Sequence, residues 1–112
     1  MMTGTVVEMN DEIMGNASVA KNPGVFGHTG TLGIMLRREM RGQGVGEKLF
    51  LKIIEEAHRA LGVSIITLRV MGGNQVAQHL YLKCGFEEVG RIRGGVMHYG
   101  NPQDDVFMVK YL

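Results

Sequence analysis

Apolar and polar positions follow two periods along this chain, and the helical one is the clearer. In residues 47–61 apolar side chains recur at intervals of three and four, with charged side chains between them. This pattern predicts an amphipathic helix that lies on a sheet. Gly62 follows where a C-cap glycine is expected. Residues 63–70 then form an unbroken run rich in β-branched side chains, which is typical of a buried strand.

Shorter runs predict the remaining elements. Strands are expected at residues 6–9, 13–20, 31–36, 86–96 and 106–112, with the first two joined as a hairpin. A loop is expected at residues 100–104, and Gly33 suggests a bulge or a close backbone neighbour in the third strand. A short helix is expected between Asn74, a favourable N-cap, and Gly85. This order predicts a single mixed α/β domain over residues 1–112, with a right-handed parallel crossover at 31–70.

The composition limits the partners that can be expected. The net charge is +1 and charges of both signs are interspersed, so no basic surface for nucleic acid is indicated. No apolar run approaches the roughly 20 residues of a membrane span, and residues 1–5 lack the pattern of a signal peptide. Cys84 is the only cysteine, which excludes an internal disulfide and fits a reducing compartment. We therefore expect a cytoplasmic domain without a nucleic-acid or membrane partner.

A glycine-rich segment between the third strand and the long helix is the main candidate for chemistry. It consists of Arg41, Gly42, Gln43, Gly44, Val45 and Gly46. Glycines let successive N–H groups point into one space, and a helix start adds unpaired N–H groups, so the segment suits a phosphate. A Walker loop is excluded because Gly-Lys-Ser/Thr is missing, and a dinucleotide fingerprint because Glu47 replaces its third glycine. The alternative is a plain strand-to-helix turn.

Two segments of the chain resemble the GCN5-related N-acetyltransferase (GNAT) superfamily. Residues 32–46, LGIMLRREMRGQGVG, resemble the central strand and pyrophosphate loop of that family. Residues 74–86, NQVAQHLYLKCGF, resemble its second signature, and the whole resemblance covers about residues 5–112. It implies the acyl-CoA N-acyltransferase fold, a mixed and mostly antiparallel sheet with a central parallel strand–helix–strand crossover.

The resemblance also implies an activity and a co-substrate. Members of the family transfer an acetyl group from acetyl-CoA to a primary amine, by direct attack in a ternary complex and without a metal. By position, the backbone of Ile34, Met35 and Leu36 would bind the pantetheine arm. The pyrophosphate would lie on the glycine loop next to Glu47, and Asn74 would add a contact beside its capping role. The acceptor would be an amine of a small molecule or of a protein.

The resemblance places Tyr81 near the reacting sulfur. It stands seven residues after Asn74, as the tyrosine of the family signature does. Its hydroxyl would protonate the departing thiolate as a general acid, in contact with the bound acetyl-CoA. The alternative is a tyrosine whose ring only packs in the core.

No spacing supports a particular general base. The family often carries a carboxylate on the central strand or on the strand after the long helix, and Thr31 and Arg69 occupy those places here. A water chain, or an amine that arrives neutral, would serve as well. The residues that remain as candidates are His28, Glu87, Glu88 and His98. Cys84 is expected to pack rather than to form an acyl-enzyme, because spacing pairs it with no histidine or carboxylate.

The chain is shorter than the family pattern at its start. In the family a strand and two helices would precede residue 6, and the helices form one wall of the acceptor site. Without them the domain is expected to expose apolar surface and to form a homodimer. The short form keeps a second function open, a non-catalytic module that binds or senses acyl-CoA. Nucleic-acid binding through Arg37, Arg38 and Arg41 is disfavoured because no aromatic stacking platform accompanies them.

Overall fold

The computed structural model describes residues 2–9, 12–36 and 45–112, which form one six-stranded sheet and two α-helices. In chain order the elements are β1 Met2–Met9, β2 Glu12–Lys21, a 3-10 turn Gly24–Phe26, β3 Thr29–Leu36, α1 Val45–Leu61, β4 Ile65–Met71, α2 Gln75–Lys83, β5 Glu87–His98 and β6 Asn101–Tyr111. The strands lie in the order β1-β2-β3-β4-β6-β5, with β3 and β4 parallel and the other neighbours antiparallel. Neither described helix is long and apolar enough to span a membrane. The expected mixed sheet with a central parallel pair is confirmed.

The helix α1 covers one face of the sheet and forms the core with it. Phe50, Ile53 and Ala57 have no exposed surface. They belong to one buried cluster with strand residues Ala17, Val19, Leu32, Ile66, Leu68, Val70, Val106 and Met108. Fully burying a Phe or Ile side chain contributes about 1.5–3 kcal/mol to folding. Gly62, with φ of +71°, ends α1 in the left-handed conformation expected of a C-cap glycine.

Polar contacts fasten α2 to the end of β4. Asn74 Oδ1 accepts a hydrogen bond from the N–H of Ala77 at 3.2 Å, which confirms its predicted capping role. Gln78 Nε2 donates to the carbonyl oxygens of Met71 and Gly72 at 3.1 and 2.9 Å. The start of α2 therefore lies against the C-terminal end of β4.

The turn between β5 and β6 is tighter than expected. The prediction of a loop at residues 100–104 is wrong, because β6 already begins at Asn101. Tyr99 and Gly100 have φ of 50° and 78°, and this pair of positive values makes the turn in two residues. Pro102 is tolerated because β4 pairs with β6 only from Asp105 onward, so one side of Pro102 has no strand neighbour in the described sheet.

Gly30, rather than Gly33, is the glycine that β3 requires. The pairing of β2 with β3 runs without a shift in register, so the bulge suggested at Gly33 is absent from the described strands. A Cβ on Gly33 would have Ser18 Oγ as its nearest neighbour, at 3.9 Å, so no close contact excludes a side chain there. A Cβ on Gly30 would lie 2.6 Å from Cγ1 of Val19, which is fully buried.

The face of the sheet opposite the helices is open. Both helices contribute to the same core cluster, so neither of the described helices covers the other face. The alternation of side chains along the strands puts on that face Thr31, Ile65, Thr67, Arg69, Met71, Asp105, Phe107, Val109 and Tyr111, of which Asp105 and Val109 are buried. We call this surface the open face. Self-association to a homodimer through it stays a prediction.

The two glycines of β3 make a matched pair for a stability test. Gly30→Ala forces its Cβ against buried Val19 and should destabilise the fold by about 1–3 kcal/mol, the usual cost of overpacking. Gly33→Ala makes only an ordinary contact with Ser18 Oγ at 3.9 Å, so its stability should be unchanged or higher by about 0.4–1 kcal/mol, because alanine restricts the unfolded chain. Urea unfolding of both variants measures the difference. Equal stabilities would contradict the close approach at Gly30.

Candidate active site

The parallel strands β3 and β4 separate before they end. Their pairing covers residues 29–31 of β3 and 65–67 of β4. Beyond it both strands continue, β3 beside β2 and β4 beside β6. In the described sheet no strand bonds to the inner edges of residues 32–36 and 68–71. We call the opening between these inner edges the β3–β4 gap.

The gap presents backbone groups that an extended ligand can bind. Backbone N–H and C=O groups inside a protein need hydrogen-bond partners. On the inner edge of β3 that partner is no longer β4. Ile34, Met35 and Leu36, the residues expected to bind the pantetheine arm, are the last three of β3 and border the gap. A chain that carries amide groups can therefore pair with β3 where β4 does not.

The helix α1 starts at the same end of the sheet, because it follows β3 in the chain. It begins at Val45, so Val45 and Gly46 are helical. The loop predicted at residues 41–46 therefore ends two residues earlier than expected. The rest of that loop, Arg41, Gly42, Gln43 and Gly44, lies outside the described residues. The first four N–H groups of a helix have no partner within it. Those of Val45 and Gly46 therefore have no partner within the described part of α1, and groups of this kind bind anions.

The side chain of Glu47 ties α1 to α2. Its carboxylate lies 3.0 Å from Nζ of Lys83, in the last turn of α2. An ionised carboxylate has no hydrogen-bond donor and repels an anion, so Glu47 can offer a phosphate only its backbone N–H. Cys84 caps α2 and is buried, and burial first and then the Glu47 carboxylate raise the pKa of its thiol. A thiol that keeps its proton is a poor nucleophile, which supports the packing role expected for Cys84.

Tyr81 lies between the two helices in an aromatic cluster. Its ring centroid is 5.0 Å from that of Phe50 and 6.2 Å from that of Phe86, and the residue is 7% exposed. Its hydroxyl has no hydrogen bond to a described residue. Every buried side-chain nitrogen or oxygen atom of the described residues has a hydrogen-bond partner, so the unpartnered hydroxyl is not buried and reaches the surface. Burial raises the pKa of Tyr81. The structure thus combines a fixed, packed ring with a free O–H donor, so packing and catalysis are compatible.

The candidates for a general base are scattered over the fold. His28 precedes β3, at the opposite end of that strand from the gap, and His98 ends β5. Glu88 binds Arg91 at 2.8 Å, and Glu87 is exposed at the start of β5. In the part of the chain that the structure describes, no three or more His, Cys, Asp or Glu side chains are grouped to hold a metal ion. The identity of the base stays open.

Arg69 and Asp105 form a fixed pair on the open face, next to the gap. Nε of Arg69 donates to Oδ1 of Asp105 at 3.2 Å, and Nη2 donates to Oδ2 at 2.5 Å. The Asp105 side chain is 4% exposed, whereas that of Arg69 is 66% exposed and lies over the ring of Phe107. The hydrogen bond to Asp105 is the main cause that raises the pKa of Arg69. Sequence reasoning missed this pair, because 36 residues separate its members and no local pattern links them.

Sequence comparison finds a matching family and two related proteins of known activity. The family model described as "Acetyltransferase (GNAT) family" matches residues 2–86. The chain is 30% identical over 99 residues to the L-methionine sulfoximine/L-methionine sulfone acetyltransferases of Pseudomonas aeruginosa and Pseudomonas paraeruginosa. Those residues make up 87% of this chain and 57% of each relative, so the chain spans little more than half of their length.

Solved structures share the fold. A GNAT-family acetyltransferase of Streptococcus pneumoniae has a TM-score of 0.90 at 28% identity, over 99% of this chain and 67% of that one. The ribosomal-protein-alanine N-acetyltransferase of Brucella melitensis has a TM-score of 0.88 at 29% identity, over 99% and 69%. The Salmonella typhimurium protein yncA, solved with its cofactor acetyl-CoA, has a TM-score of 0.88 at 24% identity, over 97% and 64%, which shows the fold alone. This chain belongs to the GNAT acetyltransferase family, because the family model matches residues 2–86 and solved members of the family share its fold.

Proposed function

We propose that the chain transfers an acetyl group from acetyl-CoA to a primary amine by direct attack in a ternary complex. The observation that carries the proposal is the β3–β4 gap, with the start of α1 at the same end of the sheet and Tyr81 packed against Phe50 in the second turn of α1. Membership of the GNAT family supports acetyl transfer in general. The gap adds a place for the acyl donor that a plain strand-to-helix turn would not require.

The described residues fit acetyl-CoA part by part. The pantetheine arm is an extended chain with two amide groups, which matches the free inner edge of β3 at residues 34–36. The pyrophosphate is an anion, which suits the first N–H groups and the positive dipole end of α1 at Val45 and Gly46. Asn74 uses its amide oxygen as the N-cap, so its NH₂ group is left to contact the same ligand.

Tyr81 has a defined part in the proposed step. The nitrogen of a neutral acceptor attacks the thioester carbon, and the carbon–sulfur bond breaks so that sulfur leaves with the electron pair. The phenol of Tyr81 donates its proton to that sulfur, while the attacking nitrogen loses a proton to solvent. An N–H group on the inner edge of β3 stabilises the negative charge that develops on the carbonyl oxygen. Because burial raises the pKa of Tyr81 above its ordinary value of about 10, the phenol still carries this proton at neutral pH.

The names of the relatives support an amine as the acceptor. The Pseudomonas enzymes are named for L-methionine sulfoximine and L-methionine sulfone, and the Brucella enzyme for alanine of a ribosomal protein. Each of these compounds is an amino acid or contains one, and an amino acid carries a primary α-amine. A primary amine is therefore the acceptor that we propose for this chain.

One charge at the start of α1 should act in opposite directions on folding and on binding. Gly46→Asp puts a carboxylate in the first turn of α1, which favours the helix by roughly 0.3–1 kcal/mol but repels a phosphate. Gly46→Asn has the same shape without the charge and is the matched control. In calorimetric titrations we expect acetyl-CoA to bind the Asp variant at least about tenfold more weakly than the Asn variant. The free Asp variant should melt no lower than the Asn variant.

The wild-type chain supplies the reference for this comparison. Acetyl-CoA at 100 times its dissociation constant should stabilise the wild type by about 2.7 kcal/mol. Equal affinity of the two variants for acetyl-CoA would show that the start of α1 does not hold the pyrophosphate.

Removing the hydroxyl of Tyr81 should slow the reaction without loosening the fold. Tyr81→Phe keeps the ring in its cluster and deletes only the proton donor, so kcat should fall by about 10²–10⁴-fold, the usual contribution of general acid catalysis. Acetyl-CoA affinity and melting temperature should stay close to those of the wild type. The assay is release of the coenzyme A thiol with a panel of primary amines, and Tyr111→Phe, at a tyrosine that is 65% exposed, is the control.

Two results would count against this role. A Tyr81→Phe variant with wild-type kcat would remove Tyr81 from the mechanism and leave it as a packing residue. A wild-type chain that binds acetyl-CoA but acetylates no amine of the panel would favour the non-catalytic acyl-CoA-binding module instead.

A further inference from the structure

The guanidinium of Arg69 donates two of its N–H groups to Asp105 and has no described partner for the others. Asp105 accepts hydrogen bonds from Nε and from one N–H of Nη2. A guanidinium has five N–H donors in a rigid plane. No described residue accepts from Nη1 or from the second N–H of Nη2, and the side chain is 66% exposed. Arg69 therefore presents two parallel donors to the solvent on the open face, in an orientation that Asp105 holds.

The position of Arg69 is tied to the gap. It lies on β4 two residues after Thr67, the last residue that pairs with β3, and on the face that α1 and α2 leave open. The acyl donor of the proposed function would be held from the α1 end of the gap. Arg69 therefore lies on the strand that borders the gap, and its side chain is within the open face that an acceptor can reach.

A shallow pocket adjoins the guanidinium. Its volume is about 180 Å³, and its walls are Arg69, Val70, Met71, Val96 and Asp105. The side chains of Met71 and Val96 give it an apolar part, and Asp105 is the buried carboxylate that Arg69 neutralises. A molecule with one anionic group and a small apolar part matches such a surface.

We propose that Arg69 and this pocket form the acceptor subsite, in which Arg69 binds the carboxylate of a free amino acid whose α-amine is acetylated. The inference rests on the proposed function and names the class of its acceptor. Three N–H groups of Arg69 remain free, and two of them, one on Nη1 and one on Nη2, point in parallel and match the two oxygens of a carboxylate. Asp105 balances the charge of Arg69, so the subsite selects by directed hydrogen bonds and not by net positive charge. That property favours a planar carboxylate over a polyanion.

Asp105 holds Arg69 in place before a ligand binds, and this lowers the entropy that Arg69 loses on binding. A free arginine loses side-chain entropy when it binds a ligand, whereas one already fixed by a bidentate pair loses less. The guanidinium lies over the ring of Phe107, with 5.3 Å between the guanidinium carbon and the ring centre. Asp105 and Phe107 act as positioning residues, and Arg69 makes the contact to the acceptor.

The test compares acceptors that differ only in the carboxylate. The wild-type chain is assayed for coenzyme A release with the L-amino acids and with their α-amides, at saturating acetyl-CoA. An α-amide loses its ammonium proton more readily, so intrinsic reactivity favours the amides. We expect the opposite order, with kcat/KM about 10–100-fold higher for the best amino acid than for its amide.

The same comparison in variants assigns the effect to Arg69. In Arg69→Gln the preference for the acid should disappear, because kcat/KM for the amino acid falls to about that for its amide, while KM for acetyl-CoA stays within about twofold of wild type. Arg93→Gln removes an exposed arginine of β5 that does not line the pocket, and it should keep the full preference. Arg69→Gln leaves the Asp105 carboxylate buried without its partner, so the double variant with Asp105→Asn replaces it if the single variant melts early.

The outcomes separate this inference from the proposed function. Acetylation of amines without a preference for the carboxylate would overturn the inference and leave the acetyltransferase proposal standing. A preference that survives in Arg69→Gln and in the double variant would also overturn it. If the chain releases no coenzyme A from acetyl-CoA with any amine or amino acid, the proposed function is overturned, and the inference with it.

Discussion

The parallel pairing of β3 with β4 stops after three residues, and the organisation of the site depends on that break. Both strands are held on their outer sides, by β2 and by β6, along the part where they no longer meet. The buried cluster under α1 fixes the same strands from one face. The inner backbone groups cannot satisfy each other and must find another partner. An extended molecule with amide groups is the partner that the geometry suits, which is why we propose that the acyl donor binds there.

The two faces of the sheet give the two proposed substrates separate approaches. On the helical side, α1 begins and Tyr81 holds its hydroxyl at the surface, clamped by Phe50 and Phe86. On the open face no described helix intervenes, and Arg69 is oriented by a carboxylate 36 residues away in the chain. A ternary complex needs such separation, because the donor and the acceptor must be bound together and meet only at the gap.

Local patterns predicted the elements well, and tertiary contacts decided the rest. The helical period of α1, the cap at Asn74 and the end at Gly62 depend on neighbouring residues, so the sequence shows them. The separation of β3 from β4 has no local signal, since an apolar strand has the same pattern whether or not its neighbour stays paired. The prediction of a structural role for Gly33 is wrong, and that role belongs to Gly30, because the contact with Val19 comes from a different strand. The Arg69–Asp105 pair was out of reach for the same reason.

Amide hydrogen exchange tests the central claim most directly, because it reports on the inner edges of β3 and β4 one residue at a time. The account predicts that saturating acetyl-CoA slows exchange at those amides of residues 32–36 that do not bond to β2. The amides of residues 65–67 that already pair with β3 or β6 should change little, and they provide the internal control. If acetyl-CoA binds and the free amides of residues 32–36 exchange as fast as before, the β3–β4 gap does not receive the acyl donor, and the account is contradicted.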